Sequence, residues 1–225
     1  MCYKTTTIIL FFLFSTTLLF GQGSLVDKET KAAYLHGSFF NSSEATSYNF
    51  TGGFVFDGTF DFGLSLGALE PEATYLGSNL TATTFAAKFS FFPLKQNNDS
   101  VPLSVSVHIG YQETGYSSEV LDRTNTTLSS NILSFGGTIY RDLQVRGAVK
   151  FQPFFTLSNA RATYSDAYPR INSSASETEN YFVAGFGMSI MTRISHDVFL
   201  YATPELSLSK YPDVFSIRAG LIFPF

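Results

Sequence analysis

Val214-Phe-Ser-Ile-Arg-Ala-Gly-Leu-Ile-Phe-Pro-Phe225 alternates without a break. Phe215, Ile217, Ala219, Leu221, Phe223 and Phe225 fall on one face, and Val214, Ser216, Arg218, Gly220, Ile222 and Pro224 on the other. A period of two is the signature of a β-strand, whose successive side chains point to opposite sides. A strand with one wholly apolar face needs an apolar surface or an apolar solvent against that face. The remainder of the chain is read outward from this requirement.

Composition agrees with it. The chain has 225 residues, 44% hydrophobic and only 14% charged, with 25 Phe, 12 Tyr and no Trp. Soluble domains carry about a quarter charged residues. Mean hydropathy is +0.11, yet no apolar run of helix-spanning length follows the N-terminal region, so the apolar excess is spread over strands. That distributed signal is the one a transmembrane barrel gives. A net charge of -4 argues against nucleic acid or an anionic membrane surface as a partner, since both need a basic patch.

Residues 1–21 read as a signal peptide: Lys4, the apolar run Ile8–Phe14, a second patch Leu18–Phe20, and no acid before Asp27. Ser15, Thr16 and Thr17 interrupt the run, which argues against an anchor helix. Cys2, the only cysteine, falls in the segment expected to be removed, and is not where a lipoprotein cysteine would stand. Residues 22–31 then form a short polar periplasmic lead, and residues 32–225 the barrel domain.

Ten runs of about ten residues follow, the length of a tilted membrane strand. They are Ala32–Asn41, Tyr48–Phe56, Thr59–Ala68, Thr81–Pro93, Val101–Gln112, Ser130–Tyr140, Gln144–Ser158, Tyr181–Thr192, Val198–Ser209 and Val214–Phe225. The expected fold is therefore all-β, an antiparallel up-and-down transmembrane β-barrel of ten strands, with eight as the alternative count. A three-residue turn with Gly58 left-handed should pair Phe54 with Phe60 and Phe50 with Leu64, keeping Asp61 inward. Connections alternate between short turns, such as Asp57–Gly58 and Arg193–Asp197, and longer Ser/Thr/Asn-rich loops. The longer loops are Ser42–Ser47, Leu69–Leu80, Glu113–Ser129 and Asn159–Asn180, with Lys210–Asp213 a short exception on the same side. That asymmetry predicts periplasmic turns and extracellular loops. The competing architecture, a soluble sandwich or lipocalin-like barrel, would wet the polar face and charge it more heavily.

The inward face carries a small set of charges: Asp61, Lys88, His108, Arg146, Lys150, Glu205 and Arg218. A ten-stranded lumen is nearly filled by side chains, so these charges should pair rather than line a wide channel. Glu205 and Arg218 are expected directly opposite each other across the Lys210–Asp213 turn. His36-Gly37-Ser38, with Asp61 as a third partner, is a weak hydrolase candidate, because the spacing alone carries it. His108 and His196 share no ligand spacing with it, so neither a metal nor another cofactor is expected. Six Asn-x-Ser/Thr sequons, at Asn41, Asn49, Asn79, Asn98, Asn125 and Asn172, follow from composition. Tyr75, Tyr116, Tyr164 and Tyr168 are the loop aromatics where a surface ligand would first be sought.

The Phe225 terminus, the Phe92-Pro93-Leu94 turn into Val101–Tyr111, and Gln22 at the expected new N-terminus resemble the small outer-membrane β-barrel (porin-like) family of Bacteroidota-type Gram-negative bacteria. The resemblance implies a cell outer membrane location, outer-membrane lipid as a partner, and recognition by the barrel-assembly machinery. The C-terminal assembly signal would comprise Phe215, Ile217, Leu221, Phe223 and Phe225. It also implies a structural or surface-interaction role through the loops, with a narrow solute channel as the alternative and a lipid-modifying hydrolase as a remote one.

Overall fold

The computed structural model describes residues 22–72, 74–75, 78–96, 102–144, 149–168 and 173–225. The expected signal peptide, Arg146 and the sequons at Asn98 and Asn172 lie outside the described residues. Ten long strands form one antiparallel ring: β1 Ala32–Asn41, β2 Ala45–Phe56, β3 Phe60–Pro71, β4 Thr81–Leu94, β5 Ser104–Ser117, β6 Thr127–Tyr140, β7 Val149–Tyr168, β8 Ser173–Ser195, β9 Val198–Ser209 and β10 Val214–Pro224. Each pairs with its sequence neighbours, and β10 closes on β1 from Ala32↔Pro224 to Asn41↔Phe215. The Phe225 amide donates to the Lys31 carbonyl at 2.9 Å and finishes the seam. Closure matters because an open edge in hydrocarbon would leave its backbone groups unsatisfied.

The alternation reads out as two faces. Phe50, Phe135 and Phe182 are 60%, 64% and 68% exposed, whereas Asp61, Glu205 and Arg218 are 2%, 3% and 2% exposed. Leu35, Phe54, Phe62, Leu66, Phe85, Phe89, Ile109, Leu157, Phe186, Phe215 and Ile217 continue the outer apolar belt on neighbouring strands. Along β2 the belt runs from Tyr48 to Phe56, about 20 Å at about 3.3 Å per residue and a tilt near 40°. An outer surface this apolar suits lipid and not water. The soluble alternative, which needs this face to be a core, does not describe the chain.

The turn between β2 and β3 is the expected three-residue one, and both Asp57 (φ 50) and Gly58 (φ 59) are left-handed. Its register is Phe56↔Phe60, Phe54↔Phe62 and Phe50↔Leu66, two residues from the expected pairing. An even shift preserves the faces, so Asp61 still points inward. Gly58 has a second reason to be glycine: a Cβ there would lie 2.2 Å from the Asp27 carbonyl oxygen.

β2, β4, β6 and β8 end, and β3, β5, β7 and β9 begin, on the side where β1 begins and β10 ends, called here the turn end. At the opposite, loop end, two expected loops turn out to be strand. β7 and β8 remain paired from Ser158↔Val183 up to Tyr168↔Ser173, beyond the outward apolar side chains Leu157 and Phe182. The pattern behind this is Ala160, Ala162 and Tyr164, which keep alternating inward although the polar composition reads as loop. β5 and β6 also run on, to Ser117 and from Thr127, and are joined through a helix, α1 Glu119–Thr124. Ser118 caps α1 by accepting from the Leu121 amide, and left-handed Asn125 ends it.

Candidate functional site: the lumen and its two seals

The lumen has three tiers. At the loop end, Leu69, Leu80, Ala82, Tyr116, Leu128, Ile132, Tyr164, Tyr181 and Val183 pack with Leu121 of α1 into one apolar cluster. All are less than one-tenth exposed. The strands bring these residues to one height, and the α1 caps fix the angle at which Leu121 enters. Tyr116 and Tyr164, expected as exposed ligand-seeking aromatics, belong to this cluster and face inward. The parity of β5 and β7 carries past the membrane belt and settles their direction. The side chains of Tyr75 and Tyr168 lie outside the described residues.

At the turn end the seal is borrowed from the N-terminal segment. Residues Gln22–Leu25 form a 3-10 turn, and Leu25 and Val26, 2% and 5% exposed, pack on Ala32, Tyr34, Val55, Met191, Tyr201 and Ile222. Polar contacts from the barrel hold the strap. Gln152 Nε2 donates to the Ser24 carbonyl at 2.8 Å, and Lys95 Nζ donates to the Val26 carbonyl. The Glu29 amide donates to the Asp57 carbonyl at 3.0 Å, and the Gly58 amide to the Thr30 carbonyl at 2.8 Å. Burial pushes the Lys95 ammonium down to about 8, with the Lys150 charge adding to the effect and Asp27 and Asp142 opposing it. The polar lead expected at residues 22–31 is thus exposed only from Asp27 onward, and Ser24, Leu25 and Val26 are buried in the barrel mouth.

Between the seals the lumen is polar. Arg218 Nη2 donates to Glu205 Oε2, and Ser207 Oγ adds a bond to the other carboxylate oxygen at 3.3 Å. The register pairs Thr203 with Arg218 and Glu205 with Ser216. The two charges therefore meet diagonally and not directly opposite, because the turn register differs by two residues and a long arginine spans that offset. Tyr34 Oη donates to Asp61 Oδ1 at 2.8 Å. His108 Nε2 and Ser158 Oγ are 3.0 Å apart. Lys150, expected in the same network, sits instead at the turn end, 2.8 Å from Asp142 and 3.7 Å from Asp27.

His36 shares the chamber with Lys88, stacked at 6.0 Å on Tyr34 and edge-on to Tyr201 at 6.1 Å. Tyr34 and Tyr201 were not singled out by sequence; their inward parity was legible, but not that they would bracket a histidine. The hydrolase candidate does not assemble: the Ser38 hydroxyl donates to the Asn49 carbonyl at 3.5 Å, and Asp61 accepts from Tyr34. Among the described residues no group of three His, Cys, Asp or Glu is placed to hold a metal.

No protein-family model matches the chain, and no curated protein sequence matches it. Solved structures do. The translocator domain of the autotransporter NalP from Neisseria meningitidis aligns with a TM-score of 0.51 at 11% identity, over 88% of this chain and 90% of that one. The outer-membrane protease OmpT from Escherichia coli gives 0.45 at 10% identity, over 88% and 94%. Ail, the attachment invasion locus protein of Yersinia pestis, gives 0.42 at 13% identity, over 87% and 97%. The fold of this chain is that of the outer-membrane β-barrels.

Proposed function

We propose that this chain resides in the outer membrane, exported by a cleaved signal peptide, and acts as a surface-interaction protein through its extracellular rim. The observation that carries this reading is the β7–β8 hairpin. On one side β6 covers β7 as far as Ala167↔Thr127. On the other, β9 meets β8 only from Val183↔Ser209, so Ser173–Asn180 has no second strand partner among the described residues. Eight residues of strand make about 26 Å of backbone donors and acceptors above the membrane belt. A strand edge of this kind accepts an extended segment from another chain, with main-chain bonds supplying affinity. Glu177 lies exposed along it, while Glu179 is paired with Lys210, so a partner segment bearing a cation opposite Glu177 fits best.

The lumen supports the same reading. Buried apolar side chains pack at both ends among the described residues, and between them Arg218 is paired with Glu205 and Asp61 accepts from Tyr34. This favours a structural interior over a diffusion path or a catalytic pocket, and the chain is read as a non-enzyme needing no cofactor. Outer-membrane lipid is its solvent, and the assembly machinery would act on the β10 residues Phe215, Ile217, Leu221, Phe223 and Phe225.

The test uses outer-membrane vesicles carrying the intact chain, titrated with a fluorescent ten-residue peptide alternating Lys and Thr. Saturable binding, weakened several-fold by Glu177→Lys while the barrel's heat-dependent gel shift persists, is expected. Conductance steps in planar bilayers together with no peptide binding would replace this reading with the narrow channel.

A further inference from the structure

We propose that the sealed chamber holds a halide-sized monovalent inorganic anion, bound by Lys88 with Arg218 and the polar groups around them. Lys88 Nζ is buried and has no hydrogen-bond partner among the described residues, and neither has His36 Nδ1. Both line a cavity of about 40 Å³, with Arg218, Gln112, Asn49 and Thr84 on the same wall. That volume holds two or three water-sized particles at about 10–15 Å³ each.

Charge placement selects the ligand class. Two cations line this cavity and no carboxylate does. Asp61 and Glu205 lie close enough to act on the Lys88 charge, but neither bonds to its Nζ: Glu205 is held by Arg218 and Ser207, and Asp61 accepts from Tyr34. A buried ammonium without a bonded counter-charge is costly, and a bound anion relieves that cost. Of the other polar groups, His36 Nδ1 has no partner, and the Gln112 and Asn49 amides each keep a second N–H beyond the ones donated to Thr114 and Ser47. Thr84 Oγ1 donates to Asn49 Oδ1 at 3.0 Å, and Asn49 Nδ2 donates one hydrogen to Ser47 Oγ at 3.1 Å. A tetrahedral oxyanion is larger and more highly charged, whereas a chloride-sized ion with one water matches the space.

The seals determine how the ion enters. With the strap docked at one end and the tyrosine cluster packed at the other, the ion is captured during folding and exchanges only when the strap opens. The experiment therefore supplies the ion at that stage: the full chain is refolded into detergent micelles in sodium bromide and crystallised, and scattering is measured at the bromine edge. An anomalous peak in contact with Lys88 Nζ is expected. Water-only density in the chamber, or bromide confined to the protein surface, overturns the proposal.

A second measurement compares the heating temperature at which the gel shift occurs in chloride and in gluconate of equal ionic strength. Binding to the folded state alone should raise it by a few degrees in chloride. Lys88→Met should lose that difference; an unchanged chloride response in Lys88→Met would also overturn the proposal. Should Lys88→Met not fold, the bromide measurement on the unaltered chain decides alone.

Discussion

The two ends of the lumen are closed by different means. At the loop end the seal is built from strand side chains and from Leu121 of a capped helix, so it forms with the barrel and cannot leave it. At the turn end the seal is a strap, Gln22–Thr30, that belongs to no strand and is held by a few contacts from Lys95, Gln152 and the 57–59 turn. One seal shares the cooperative stability of the sheet. The other can undock locally, with a free energy well below the global value.

The contrast breaks most sharply if a charge is placed in the fixed seal. Ile132 is 1% exposed, and Ile132→Asp should cost on the order of 4 kcal/mol, because nothing there can pair a carboxylate. Loss of the compact unboiled band on gels is the expected readout. Between the seals, Glu205→Ala strands the Arg218 guanidinium and should cost about 3–5 kcal/mol in urea unfolding. The double variant Glu205→Gln, Arg218→Met should recover most of that. A double variant no better than the single would show that the pair is worth more than its desolvation.

At the movable seal the effect is smaller. Leu→Ala at a buried site ordinarily costs about 2–5 kcal/mol. For Leu25→Ala the global cost should stay under about 1 kcal/mol, because it is capped by the free energy of docking the strap. Mouth opening is read with Met191→Cys, whose side chain packs in the strap cluster. Cys2 is the only native cysteine, so labelling is clean once the leader is removed. The introduced thiol should react slowly in the otherwise unaltered chain and at least tenfold faster with Leu25→Ala. Equal rates would mean that the strap does not open independently.

The smallest effect is a pH dependence at Lys95. The folded chain releases this proton near pH 8 and the unfolded chain near 10.5. Between those values the unfolded state binds more protons, so stability contributed at this site rises with pH across the window. Urea midpoints should therefore rise more from pH 7.5 to 10 in the unaltered chain than in Lys95→Met. The opposite ordering would mean that the ammonium bond to Val26 outweighs its burial.

Much of the fold was legible because alternation is a local property. The bounds of β1 and β9 are those read from sequence, and the faces of β10 follow residue by residue. What failed was set by partners. Asn159–Asn180 reads as loop because its residues are polar, but pairing with β6 and between the two halves of the hairpin extends the sheet through it. Tyr116 and Tyr164 read as surface residues because local composition does not say whether the lumen continues above the membrane. Leu25 and Val26 read as part of a polar lead because two apolar residues carry no period.

Alternation along each segment is enough to make every strand two-faced, since period two sets which side of a sheet each residue takes whatever its neighbours are. Which inward residues meet depends on closure and register. Lys88 on β4, His36 on β1 and Arg218 on β10 line one cavity because ring closure sets β10 beside β1 and register sets their heights. Those are properties of strand pairs far apart in the chain, and no single segment encodes them.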